Sequence, residues 1–190
     1  MGVLATLVLA LEVGTFSAAT NAGGLPEGWK PLTFRNIERH TEYALGRDEG
    51  AMVVRATSRA SASGLARAIE IDTRELPIVE WRWKIANLLE KGDVTQKSGD
   101  DYPARIYVAF DVSPSTLSFF ERIVYEALKL WYGEAPPLGA INYIWERSTP
   151  VGTVVPNAFT KRVQMIVVRS GAEKVGKWVD ERRDLAADYL

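Results

Sequence analysis

No cysteine occurs among the 190 residues. That excludes thiolate nucleophiles, thiolate zinc sites, iron–sulfur clusters and disulfides together, and it leaves no N-terminal cysteine to carry a lipid. Histidine is almost as scarce. The single copy, His40, sits in the charged stretch IERHTEYAL, which predicts an ordinary exposed side chain and argues against multi-histidine metal sites and Ser-His-Asp hydrolysis. Charge of one sign is not in excess either. Lys and Arg total 23 against 24 Asp and Glu, a formal charge of -1, and no segment gathers the cations into a stripe, so nucleic acid is not an expected partner. No apolar run approaches the ~20 residues that a transmembrane helix needs.

What the chain does have begins at its N-terminus. GVLATLVLAL, residues 2–11, followed by the small-residue stretch EVGTFSAATNAGG, reads as an export signal over residues 1–22 with cleavage after Ala19 or Ala22, despite Glu12 and the lack of a basic residue ahead of the run. A periplasmic or secreted location follows as an expectation, with residues 23–190 forming one domain. At the other end, Val175, Trp178, Val179 and Leu185 fall at near-helical spacing up to Leu190, which predicts a C-terminal helix and a chain cut short there.

Between these ends the texture alternates. AMVVRATS (51–58), ARAIEIDT (66–73), PIVEWRWKI (77–85), ARIYVAFDV (104–112), AINYIWER (140–147) and RVQMIVVRS (162–170) each read as a strand bounded by Gly, Pro, Asp or Ser. One stretch is helical. Ser113 stands as N-cap and Pro114 at the first turn, and Leu117, Phe120, Val124, Ala127, Leu128 and Trp131 share one face up to Gly133. The expected class is mostly β: an antiparallel, jelly-roll-like β-sandwich with one or two helices.

Alternation assigns faces. In the 78–85 run Glu80, Arg82 and Lys84 share one side; in the 104–111 run Arg105, Tyr107 and Asp111 do. If the two strands are neighbours in one sheet, Glu80, Arg82, Lys84, Arg105 and Tyr107 line a shared groove, with Arg82, Lys84, Arg105 and Tyr107 as its polar contacts to a ligand; otherwise these are ordinary cross-strand ion pairs on a solvated face. Tyr143 and Trp145 share a face of their strand and are candidates for stacking on a sugar, or for the core. The expected ligand is therefore a saccharide or small anion bound without catalysis, arginine supplying forked donors for carboxylates. A polysaccharide-cleaving enzyme using Glu80, Asp100 or Glu146 is the alternative, and a structural component without a small-molecule site is the third reading. No cofactor is implied.

Three motifs bear on these choices. KSGDDYPAR places Asp100 and Asp101 side by side in a turn before Arg105. Adjacent carboxylates repel, so either Arg105 neutralises the pair or a Ca²⁺ does, with Asp93 as a further oxygen donor; the missing calcium-loop spacing favours Arg105 and no metal. EIDTRE (70–75) resembles the catalytic strand of laminarinase-type β-sandwich glycoside hydrolases, but Thr73, Arg74 and Pro77 suit a strand entering a turn. TSRASASGL (57–65) reads as a Ser/Gly turn, or as a nest of amides for an anion.

Taken in order, LPEGWKPLTF, ATSRASASGL, VEWRWKI, KSGDDYPARIYVAF, INYIWERSTPVGTVVPNAFT and VGKWVDERRDLAADYL closely resemble the bacterial family catalogued as domain of unknown function number 3047, from about Leu25 to Leu190. The resemblance implies a bacterial, exported protein and transfers no catalytic residue. It also implies a continuation rich in Asp, Thr and Asn beyond Tyr189 that this chain lacks.

Overall fold

The computed structural model describes residues 10–35, 37–113, 115, 117 and 138–189, which fall into two compact units, the chain passing from the first to the second between residues 71 and 72. The chain is mostly β. The expected helix over Pro114–Gly133 lies almost wholly outside the described residues, as does most of the apolar N-terminal run; at the helix start, Ser115 N donates to Ser113 Oγ at 3.3 Å. No helix among the described residues is long and apolar enough to cross a membrane.

The first unit carries two antiparallel pairs: β1 (Lys30–Leu32) with β4 (Gly64–Ala66), and β2 (Glu42–Asp48) with β3 (Ala51–Thr57). The β2–β3 hairpin closes through Glu49 and Gly50, both at positive φ (47° and 85°), the geometry of the two-residue turn that matches strand twist. In TSRASASGL the Ser58 hydroxyl donates to Ser61 O at 2.8 Å and Arg59 N donates to Ser61 Oγ at 3.1 Å, so the stretch is a turn. His40 is exposed.

The second unit holds two sheets. In one, β5 (Ile78–Trp83) pairs antiparallel with β10 (Val179–Asp184). In the other the order is β6 (Ala104–Ala109), β7 (Ala140–Glu146), β9 (Val163–Ser170), β8 (Val154–Pro156). Its β6–β7 and β9–β8 pairs are antiparallel, whereas β7 and β9 run parallel, with a bulge between Ile144 and Trp145. The all-antiparallel expectation fails at this one pair, because β8 and its flanking turns carry the chain from the end of β7 back to the start of β9.

The sheets pack through one core. Trp83 of β5, Val179 of β10, Ile141, Tyr143 and Trp145 of β7 and Ile166 and Val168 of β9 are buried in it, with Trp81, Ile106 and Val108 packed against them. Ala140 and Ile144 of β7, Met165 and Val167 of β9, Val94 and Tyr102 form a second cluster on the other face of the four-stranded sheet. Every residue of β7 is therefore buried. A central strand covered on both faces has no solvated side, which is why Asn142 and Glu146 are buried beside the apolar residues.

Two sequence expectations are corrected here. The 66–73 run stops being a strand at Ala66, and Asp72 instead opens a turn: Arg74 N and Nε both donate to Asp72 Oδ1 at 2.9 Å, and Glu75 N donates to Asp72 O at 3.1 Å. EIDTRE thus presents no row of carboxylates on a strand. The helical spacing at 175–185 gives a strand, β10, followed by a single turn, α1 (Leu185–Asp188), capped by Asp184. VDERRD is a poor strand by composition, and its outward charges Asp180 and Arg182 meet the opposite charges of Arg82 and Glu80 at their register positions.

Candidate functional site

β5 and β10 build a surface that combines acidic, basic and aromatic side chains. Their register sets Arg82 opposite Asp180 and Glu80 opposite Arg182. The pairs close at 3.2 Å (Arg82 Nε to Asp180 Oδ1) and 2.9 Å (Arg182 Nε to Glu80 Oε1). All four side chains are more than 60% exposed, so screening holds each pair to about 0–1 kcal/mol and the groups remain available to a ligand. Beside them the half-buried Trp178 sits under two cations, Arg82 Cζ at 5.3 Å and Lys84 Nζ at 5.6 Å from its ring centroid. The ring quadrupole attracts both heads and restrains long side chains that would otherwise roam. An open concavity of about 510 Å³ is lined by Glu80, Trp81, Arg82, Asp180, Glu181 and Arg182.

This surface is supported from beneath. Glu181 points inward, accepting from Trp83 Nε1 at 3.1 Å and from Arg169 Nε at 2.6 Å. Trp81 stacks at 5.1 Å on Tyr143 and edge-on at 5.6 Å to Trp83. At the end of β10, Arg183 grips Asp188 through two donors, and Tyr143 donates its hydroxyl to Asp188 Oδ2 at 2.7 Å. Burial, followed by the neighbouring Asp188 carboxylate, pushes the Tyr143 phenol well above its ordinary range, so it stays a neutral donor.

Of the sequence-predicted residues, Arg82 and Lys84 belong to this face; the shared groove with Arg105 and Tyr107 does not exist. β5 pairs with β10 and β6 with β7, and both β5 and β6 turn their apolar alternates into the same core, so their polar alternates point to opposite outer sides. Tyr143 and Trp145 are corrected as well. Both are 0% exposed, and the Trp145 indole donates to Gly171 O at 3.2 Å, so neither ring can meet a sugar. Sequence reasoning missed Trp178, Asp180 and Arg182, because a helical reading of that segment turns Asp180 away from the other two, whereas strand alternation puts all three on one side.

The Asp100–Asp101 turn resolves as the Arg105 alternative. Arg105 Nη1 donates to Asp100 Oδ1 at 3.2 Å and Nη2 to Asp100 O at 3.0 Å, while its guanidinium lies 4.9 Å from the Tyr102 ring centroid. Asp101 is exposed. Asp93 spends its carboxylate within its own turn, accepting from Thr95 N and Oγ1 at 2.9 and 2.6 Å and from Gln96 Nε2 at 2.7 Å. Gly99 closes that turn against it, where a Cβ would lie 2.6 Å from Asp93 O.

The Thr95 hydroxyl and amide hold the Asp93 carboxyl below the usual aspartate range. A depressed folded value means that the turn's contribution is complete above the unfolded aspartate value and is lost as pH falls through the lower, folded one. Replacing Asp93 by Asn should accordingly flatten the acid limb of a stability–pH profile, measured as the denaturant midpoint from about pH 5 to about pH 2, a window that brackets the ordinary aspartate value of about 3.9. An unchanged limb would contradict this assignment.

The carboxylates proposed for hydrolysis do not gather. Glu80 pairs with Arg182 on the outer face, Asp100 pairs with Arg105 beyond the opposite sheet, and Glu146 is 0% exposed. No cluster of three or more His, Asp or Glu side chains with metal-binding placement occurs among the described residues.

The family model described as "Protein of unknown function (DUF3047)" matches residues 27–190, so the chain belongs to that family. No curated protein and no solved structure matches it.

Proposed function

We propose that this member of the DUF3047 family is a non-catalytic binding protein of the bacterial cell envelope, and that the outer face of β5 and β10 takes an acidic saccharide. One observation carries the reading: Trp178 with Arg82 and Lys84 held over its ring, beside an open concavity that Arg182 also lines. An indole offers an apolar plate for a sugar ring, and arginine offers a planar fork for a uronate carboxylate. Acidic side chains interleave with the cations, which suits a ligand whose hydroxyls donate to protein carboxylates and whose own carboxylate accepts from Arg or Lys. The export expectation rests on the apolar run at residues 2–11 and the small residues that follow it.

The separation of Glu80, Asp100 and Glu146 among the described residues weighs against the hydrolase alternative, since cleavage needs two carboxylates within one cleft, roughly 5–9.5 Å apart. A glycan array probed with the purified chain tests the proposal. Uronate-bearing oligosaccharides should be retained over neutral ones, and Trp178→Ala should weaken the best of them by about tenfold, the usual scale of one stacking contact. Retention of neutral glycans alone, or binding indifferent to Trp178→Ala, would refute it.

A further inference from the structure

Among the described residues the three most exposed large apolar side chains fall within one short stretch: Phe159 at 62%, Val151 at 60% and Val154 at 51%. The turn that presents Phe159 is anchored. Phe159 N donates to Asn157 Oδ1 at 2.9 Å and Thr160 N to Asn157 O at 3.2 Å, while Asn157 Nδ2 reaches the buried Met165 Sδ at 3.4 Å. An aromatic ring held in water by an anchored turn carries a cost that a partner removes.

The surroundings are cationic. From Arg147 to Ala172 the chain has no Asp or Glu. Of the cations in that span, Arg147 donates to Glu90 O and Arg169 pairs with Glu181, whereas Lys161 is exposed and borders a small concavity with Val154 and Pro156. Lys97 adds a second exposed charge, its Nζ 5.5 Å from the Phe159 ring centroid. In the Lys97 turn, Asp93 is occupied by Thr95 and Gln96 and Asp100 by Arg105, which leaves Asp101 as the exposed carboxylate.

Two kinds of protein partner fit this surface poorly. β8 is an edge of its sheet, and Thr153 O and Asn157 N bond to β9, so the backbone groups of Val154 and Pro156 face outward. Pro156 has no N–H to offer there, which blocks the addition of a strand. A two-fold contact between copies would bring one cationic patch against another.

We propose that Val151, Val154 and Phe159, with Lys97 and Lys161, form a docking surface for a bilayer of anionic phospholipid. A fluid lipid surface needs no backbone pairing. Apolar side chains enter the boundary between headgroups and acyl chains, and ammonium heads on flexible stems reach the phosphates. The inference goes beyond the saccharide reading and shares no residue with that face.

Because the chain has no cysteine, Val151→Cys gives a single labelling position for an environment-sensitive fluorophore. With the full chain and vesicles of mixed phosphatidylglycerol and phosphatidylcholine, emission should shift to the blue; with phosphatidylcholine alone it should not move. In co-sedimentation with the mixed vesicles, Phe159→Ser and Lys161→Glu should each weaken binding at least about fivefold. A label that stays in water while the chain sediments would assign the contact to the apolar run at residues 2–11 and overturn the proposal. So would binding unaltered by both substitutions, an equal blue shift on neutral vesicles, or self-association of the chain that Phe159→Ser abolishes.

Discussion

Trp145→Ala is expected to lower the free energy of unfolding by about 3–5 kcal/mol, the range for deleting a large aromatic from a packed interior. The indole is 0% exposed, lies 5.8 Å from the Trp83 ring and donates its N–H to Gly171 O. Removing it opens a cavity between the two sheets and leaves the Gly171 carbonyl without that donor. Urea or guanidinium midpoints measure the loss. A cost below 1 kcal/mol would mean that the ring is solvated, as a sugar-stacking residue would be. Trp178→Ala should behave in the opposite way, costing little stability and much binding.

Asp188→Ala is expected to cost about 2–3 kcal/mol, the scale of losing charge-assisted hydrogen bonds at a mostly buried acceptor. Asp188 receives two donors from Arg183 and the Tyr143 hydroxyl, and its side chain is 11% exposed. Without it a guanidinium and a buried phenol both lose their acceptor, and Leu185 in the same turn loses its anchorage over the core. Because Arg183 is 35% exposed, water recovers part of its loss, which keeps the figure below that for a fully buried pair. Tyr143→Phe in the Asp188→Ala background should then add little, since the shared acceptor is already gone; full additivity of the two changes would show that the residues do not act together.

The strands were legible where hydrophobic alternation was strong. AMVVRATS, PIVEWRWKI, AINYIWER and RVQMIVVRS carry strands within a residue or two of the expected ends, and ARIYVAFDV carries one that stops three residues early, at Ala109. Alternation also gave the correct inward and outward sets for β5 and β6. It could not reveal which strands are neighbours, and the groove inferred from Arg82, Lys84, Arg105 and Tyr107 failed on that point. For Tyr143 and Trp145 the sequence leaves core and sugar-stacking roles both open, because a strand buried on both faces looks, along the chain, like one buried on a single face; their complete burial selects the core. β10 was missed for a different reason: VDERRD has the composition of a solvated helix, and its strand state depends on ion pairs with Glu80 and Arg82 about a hundred residues earlier in sequence. The pairing of Asp100 with Arg105 was legible because the two partners lie five residues apart, across one short turn that leads into β6.

The central claim is that ligand binds the outer face of β5 and β10. Titrating an acidic oligosaccharide against Arg82→Ala and Arg105→Ala in parallel tests it most directly. Arg82→Ala should weaken binding roughly 10- to 150-fold, the equivalent of ~1.5–3 kcal/mol for a charge-assisted contact, while Arg105→Ala leaves affinity unchanged and lowers stability through the freed Asp100 turn. Loss of binding on Arg105→Ala with Arg82→Ala unaffected would contradict the account and move the ligand to the opposite side of the sandwich.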